Sequence, residues 1–198
     1  MSLRAADKKI SKKKQIYRPI LDNPFTNEGH MWPHVEEQPI VWELLETTIL
    51  SKVRQFADVP PQEWPWDIVT DFNEIVRRLD GTVGAKEEVI LYVCVKDSGV
   101  SSVLLQQIPL LCYMYAGEVT LVQLARGALP QIRAAIAQSP LECKDGLLMV
   151  RCNGKINENF VKQVKARVAP LQFPWLDSIK YLPADVKMVR TSLPAAKR

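Results

Sequence analysis

Val89-Ile-Leu-Tyr-Val-Cys-Val95 is an unbroken apolar run with charged residues on both sides, long enough for one buried strand. After a polar turn comes a helical pattern whose apolar residues include Val103, Leu104, Ile108, Leu111 and Cys112. A second short strand follows around 119–124, and Gly127 opens another helix. Strand, helix, strand, helix is the unit of a sheet covered by helices, so the stretch 89–130 commits the chain to an α/β fold. Pro109 lies inside the first of these helices, where it removes a backbone donor and predicts a kink or a shortened helix.

The rest of the chain extends this unit. Pro39 to Phe56 places Ile40, Val41, Leu44, Leu45, Ile49 and Val53 at helical spacing. Pro60, Pro61 and Pro65 end helix formation, and 67–69 reads as a short strand. In Thr70–Gly81, Asp71 is an N-cap, Glu74 three residues on completes a capping box, and Gly81 suits a left-handed terminus. A small-residue helix over 128–137 tolerates Pro130 in its first turn. Gly146–Val150 is a short strand, and Asn157 caps a helix through Val168 that Pro170 ends. Lys162, Lys165 and Arg167 on that helix either touch phosphate or are simply solvated. The expected organisation is an arm and extended segment over 1–39, a domain over 40–169, and an extension over 170–198. Phe173, Trp175, Ile179, Tyr181 and Leu182 make that extension too apolar for a free tail, so it packs on the domain or on a partner.

Charge is unevenly placed. Residues 1–18 hold seven basic residues against Asp7 alone, residues 19–100 six against fifteen acidic ones, and residues 101–198 thirteen against six. A basic arm of Lys8, Lys9, Lys12, Lys13, Lys14 and Arg18 fits a segment that neutralises phosphates and orders on a partner. It fits equally a solvated tail or a nuclear import signal. No apolar run of membrane-spanning length occurs, and no apolar segment follows the basic start, so an intracellular protein is expected. Cys94, Cys112, Cys143 and Cys152 lack zinc-site spacing and disulfide density, and read as reduced, partly buried thiols. His30 and His34, the only histidines, have no cysteine near them and make a poor metal site. With no phosphate loop and no nucleophile–histidine arrangement, neither an enzyme nor a cofactor is expected.

In the capped segment, Phe72, Ile75, Val76 and Leu79 can face inward, leaving Asn73, Glu74, Arg77 and Arg78 near the exposed first turns. Asn offers donor and acceptor to a base edge, Glu accepts from exocyclic amines, and Arg77, one turn on, reaches phosphates. The same pattern is also met by a Glu that only helps cap the helix and by solvated arginines.

Asn73-Glu74 with a basic residue one turn later, then a strand, then Leu105-x-x-Ile-Pro-Leu-Leu-Cys112, resembles the kink-turn RNA-binding ribosomal-protein family. The order of elements over 40–169 matches that family, which implies a three-layer α/β/α sandwich on a mixed four-stranded sheet. Leu21-Asp-Asn-Pro-Phe-Thr-Asn-Glu28, His30-Met-Trp-Pro33, Thr70–Val76, Leu104–Met114 and Leu171-Gln-Phe-Pro-Trp-Leu176 carry the resemblance to both ends. They look like the kink-turn-binder-like subunits of nuclear ribonuclease P and ribonuclease MRP. The resemblance implies a non-catalytic RNA-binding subunit in the nucleus and nucleolus. Its partners would be the ribonuclease P and MRP RNAs and other protein subunits, in precursor tRNA and rRNA processing. It assigns Asn73, Glu74 and Arg77 to sheared G·A pairs, and Leu124, Arg126 and Gly127, in the loop after the third strand, to a flipped-out nucleotide. Asp71-Phe72 stands where the family has Gly-Thr, and Gln123-Leu-Ala-Arg126 lacks its Pro-Ser-Lys pattern. Contact with RNA is therefore expected without standard kink-turn geometry.

Overall fold

The computed structural model describes residues 13–21, 31–56, 58–82, 86–97, 99–100, 102–173, 176 and 186–194. Lys8, Lys9, Lys12, His30, Trp175, Ile179, Tyr181 and Leu182, on which expectations were placed, lie outside them. In chain order the elements are β1 (Lys13–Leu21), α1 (Gln38–Leu45), β2 (Asp67–Val69), α2 (Phe72–Leu79), β3 (Glu88–Val93), α3 (Ser102–Leu105) and α4 (Ile108–Met114). They continue with β4 (Glu118–Gln123), α5 (Ala128–Ile136), β5 (Leu147–Arg151), α6 (Glu158–Lys165) and β6 (Val186–Pro194). Two units result: Glu28–Asp177, and the chain ends Met1–Asn27 with Ser178–Arg198.

The larger unit is a three-layer α/β/α sandwich on a mixed four-stranded sheet of order β2-β5-β3-β4. β3 and β4 are parallel, while β5 runs antiparallel to both β3 and β2. β2, β3 and β4 therefore point the same way, and the sheet has one edge where all three end. Alternation along the strands sends Ile90, Tyr92, Val122, Leu148 and Val150 to one face, under α1, α5 and α6. Val89, Leu91, Val93, Leu121 and Met149 face the other way, under α2, α3 and α4. A strand buried on both faces reads as a continuous apolar run, which is why Val89–Val95 carries so much information.

Local chemistry explains the departures from simple helices. The pattern around Pro109 forms two helices rather than one kinked helix: α3 stops at Leu105, and α4 restarts at Ile108 with Pro109 in its first turn. There the missing N–H has no helical partner to lose. α1 runs on through a π turn (Glu46–Leu50) and shorter turns to Phe56, with Thr47 Oγ1 donating to the Glu43 carbonyl at 2.7 Å. Its N-cap, Glu37, is left-handed, and Arg167 Nε holds the Glu37 carboxylate at 2.9 Å. Phe173 is buried with its ring 5.0 Å from that of Tyr113, so the start of the C-terminal extension belongs to this unit. In the other unit, Lys13–Leu21, which spans the end of the basic arm expected to order on a partner and the start of the extended segment, is a strand paired with β6.

The edge where the parallel strands begin is closed by ion pairs. Arg151 grips Glu87 with two hydrogen bonds of 2.6 Å and reaches Asp67 at 3.3 Å, and Lys155 binds Asp67 at 2.8 Å. Lys165 lies 2.7 Å from both Glu88 and Glu118. Lys165 and Arg167 are thus not freely solvated; both are engaged by carboxylates, whereas Lys162 is exposed with Glu158 at 3.4 Å. The hydrogen bonds from Arg151 hold the Glu87 carboxyl below its ordinary range. Burial pushes Asp67 up, but the hydrogen bonds from Lys155 and Asn153 and the charges of Lys155 and Arg151 outweigh it and hold it low. A carboxyl depressed in the folded state stabilises above its unfolded pKa and loses that contribution as pH falls through the folded value. The urea midpoint should therefore be insensitive to these two groups near neutrality and fall below about pH 4. Arg151→Met should flatten that acid limb; an unchanged limb would show that the cluster does not set it.

Candidate nucleic-acid interface

The opposite edge, where β2, β3 and β4 end, carries the residues picked out for recognition. Thr70 and Asp71 connect β2 to α2, and Asp71 Oδ1 accepts the Glu74 N–H at 2.8 Å, satisfying one of the exposed donors of the helix mouth. Only this half of the expected capping box forms. The Glu74 carboxylate instead turns along the helix to Arg78, at 2.7 Å from Nη2. At the other end, Gly81 is left-handed at φ 78°, and the Thr82 N–H returns to the Arg77 carbonyl at 3.1 Å. Asn73 and Arg77 are exposed, one turn apart, and neither side chain is engaged by another described residue. Arg78 is half-buried by its pairing.

The loop after β4 is differently occupied. Leu124 is 3% exposed and donates its N–H to the Val93 carbonyl, so its side chain belongs to the core and offers no surface to a flipped base. Gly127 is left-handed at φ 90° and opens α5, but its N–H donates to Asp97 Oδ1 at 2.6 Å. The Leu129 N–H donates to Asp97 Oδ2 at 2.9 Å. An internal carboxylate thus fills the anion position that a helix N-terminus would otherwise offer. Arg126 stays exposed on this loop, with Nε 3.3 Å from the Lys96 carbonyl. Because β5 and β3 lie between β2 and β4, the α2 mouth and Arg126 share an edge but stand about 14 Å apart, three inter-strand steps.

What actually faces the α2 mouth is the connection from α5 to β5. Leu147 pairs with Val93, which fixes the start of β5 at this edge beside the end of β2. An open cleft of about 340 Å³ lies between Asp71 and Glu74 on one side and Leu141, Glu142, Lys144 and Asp145 on the other. Arg133 holds that second wall by donating to the carbonyls of Cys143 at 2.9 Å and Lys144 at 2.7 Å. Glu142 pairs with Lys144 and raises its ammonium pKa, with Asp145 and Asp71 adding to the effect. Four carboxylates against one paired ammonium repel phosphate. They are good acceptors, however, for the exocyclic amines of exposed bases. Reading the sequence missed this wall and Asp97; the one available signal was the polar stretch 142–145 ahead of an apolar strand.

Among the described residues no cluster of His, Cys, Asp and Glu could hold a metal ion, and no helix is long and apolar enough to cross a membrane. All four cysteines are free, and burial pushes their thiols up, that of Cys152 to about 12, so none supplies a thiolate near neutrality.

Comparison with known proteins covers nearly the whole chain. The family model described as RNase P subunit Pop3 matches residues 12–178. The Ribonucleases P/MRP protein subunit POP3 of Saccharomyces cerevisiae is 46% identical over 197 residues, which cover 100% of this chain and 96% of that protein.

Proposed function

This chain belongs to the RNase P subunit Pop3 family, and from that membership we propose an RNA-binding, non-catalytic subunit of the ribonuclease P and ribonuclease MRP ribonucleoproteins. In this reading the protein holds and stabilises the particle RNA, which carries the catalytic centre for precursor tRNA leader removal and precursor rRNA processing. It works in the nucleus and nucleolus beside other protein subunits. One observation carries the reading: Asn73 and Arg77 stand exposed and unengaged by other described residues at the edge where three parallel strands end. The amide meets a base edge, the guanidinium an adjacent phosphate, and the carboxylates of the cleft accept base amines. Backbone phosphates then run outside the cleft, past Arg77. That arrangement departs from a standard kink-turn contact, and Asp71-Phe72 in place of Gly-Thr supports it.

Purified full-length protein should bind ribonuclease P and MRP RNAs in preference to random duplex, with affinity falling as salt rises. Equal binding to random duplex would remove direct recognition. A scaffold role has its own observation, since Val103 and Leu104 on α3 expose apolar surface, Val103 to 72%. Under that reading Val103→Asp with Leu104→Asp would release the chain from the particle and leave its affinity for naked RNA intact.

A further inference from the structure

The two chain ends pair as an antiparallel ribbon, β1 on β6, in register from Lys13↔Pro194 to Leu21↔Val186. Together its two nine-residue strands carry five basic residues and no carboxylate. The register sets each of them opposite an uncharged residue, so the strands pair without like charges directly facing one another. A two-stranded ribbon is also marginal by itself in water. Such a strand pair, basic in sequence and without a carboxylate along its described strands, suits an anionic partner.

One face shows what kind. Tyr17 is 61% exposed and lies directly opposite Arg190. Arg190 Nε donates to Gln15 Oε1 at 3.1 Å, and its Nη2 donates to the same oxygen, so the guanidinium is fixed on the ribbon face that carries Tyr17. Met188, also exposed, continues the same face opposite Pro19. An exposed aromatic ring beside a fixed guanidinium, on a strand pair without carboxylates, is a platform on which an unpaired base stacks while its phosphate meets the cation. A protein groove would use the exposed apolar side chains but gives no reason for the missing carboxylates.

We propose that this terminal ribbon binds single-stranded RNA, with one base stacked on Tyr17 beside Arg190. The proposal rests on the chain being an RNA-binding subunit, but not on the edge formed by Asn73 and Arg77. The test uses full-length protein, a fluorescent oligoadenylate and the ribonuclease P RNA. Tyr17→Leu keeps apolar bulk on the strand and removes the aromatic face; it should weaken oligoadenylate binding about 5- to 100-fold, while Tyr17→Phe retains it. Arg190→Gln should lower the salt slope by about one. Wild-type affinity for both RNAs in Tyr17→Leu overturns the proposal, and if that variant is also lost from the assembled particle, the ribbon docks on protein instead. Loss confined to Asn73→Ala with Arg77→Ala overturns the ribbon and keeps the edge; loss confined to the ribbon variants does the reverse.

Discussion

Replacing Asn73 and Arg77 together by alanine should weaken binding to ribonuclease P RNA by about 2–6 kcal/mol, since each specific interaction with RNA contributes about 1–3 kcal/mol. The unfolding midpoint should stay close to that of the unaltered protein, because both side chains are exposed and unengaged by other described residues. The two substitutions should differ in kind. Removing Arg77 reduces the salt slope by about one and acts on every sequence alike, whereas removing Asn73 relaxes base preference with the slope unchanged. Arg78→Ala is the informative control: it breaks an ion pair with Glu74 that is partly exposed, worth about 0.3–0.5 kcal/mol, and should affect RNA binding little. Unchanged affinity in the double variant would mean that RNA does not approach this edge. A collapse of the unfolding midpoint would mean that the two residues hold the fold.

Gly146→Ala should destabilise the protein by about 2–4 kcal/mol, combining left-handed strain with overpacking. Gly146 sits at φ 68°, and an added Cβ would stand 2.7 Å from Val100 Cγ2 and 3.1 Å from Cys94 Cβ. Its carbonyl accepts the Cys94 N–H at 2.8 Å, so the backbone cannot swing away without opening the junction of β3 and β5. That junction carries the 142–145 wall of the cleft, so the variant should also reshape the site and shift RNA affinity. Gly127→Ala separates the two costs: φ is 90°, but nothing lies within 4 Å of an added Cβ, leaving strain alone at about 1–2 kcal/mol. Thermal midpoints of the three proteins decide this. If Gly146→Ala unfolds no earlier than Gly127→Ala, the packing against Val100 is not what demands glycine there.

The ionic cluster and the site divide the sheet between them. Where the parallel strands begin, Arg151, Lys155 and Lys165 are all bound to carboxylates; where they end, Arg77 and Arg126 remain exposed, and Lys144 is paired with Glu142. The basic excess of the C-terminal half is therefore a poor guide to where polyanion can bind. Lys165 and Arg167, at and just past the end of α6, look available in sequence, yet Glu88, Glu118 and Glu37 come from distant segments to engage them.

The elements themselves were legible because each rests on local chemistry. An apolar run makes β3, Asp71 caps α2, Gly81 and Gly127 accept left-handed backbone, and Pro109 forces a helix start. The exposed character of Asn73 and Arg77 followed from helical periodicity alone. What no local signal carries is which segments meet. The antiparallel sense of β5 sets 142–145 against the α2 mouth, Asp97 fills the opening of α5, Leu124 turns into the core, and the last strand pairs with the first. Each is a long-range partnership settled by burial and hydrogen bonding across the sheet. Neighbouring residues determined the parts and the family of this protein; tertiary pairing alone decided which charges of its described residues are taken up by partners and which stay exposed.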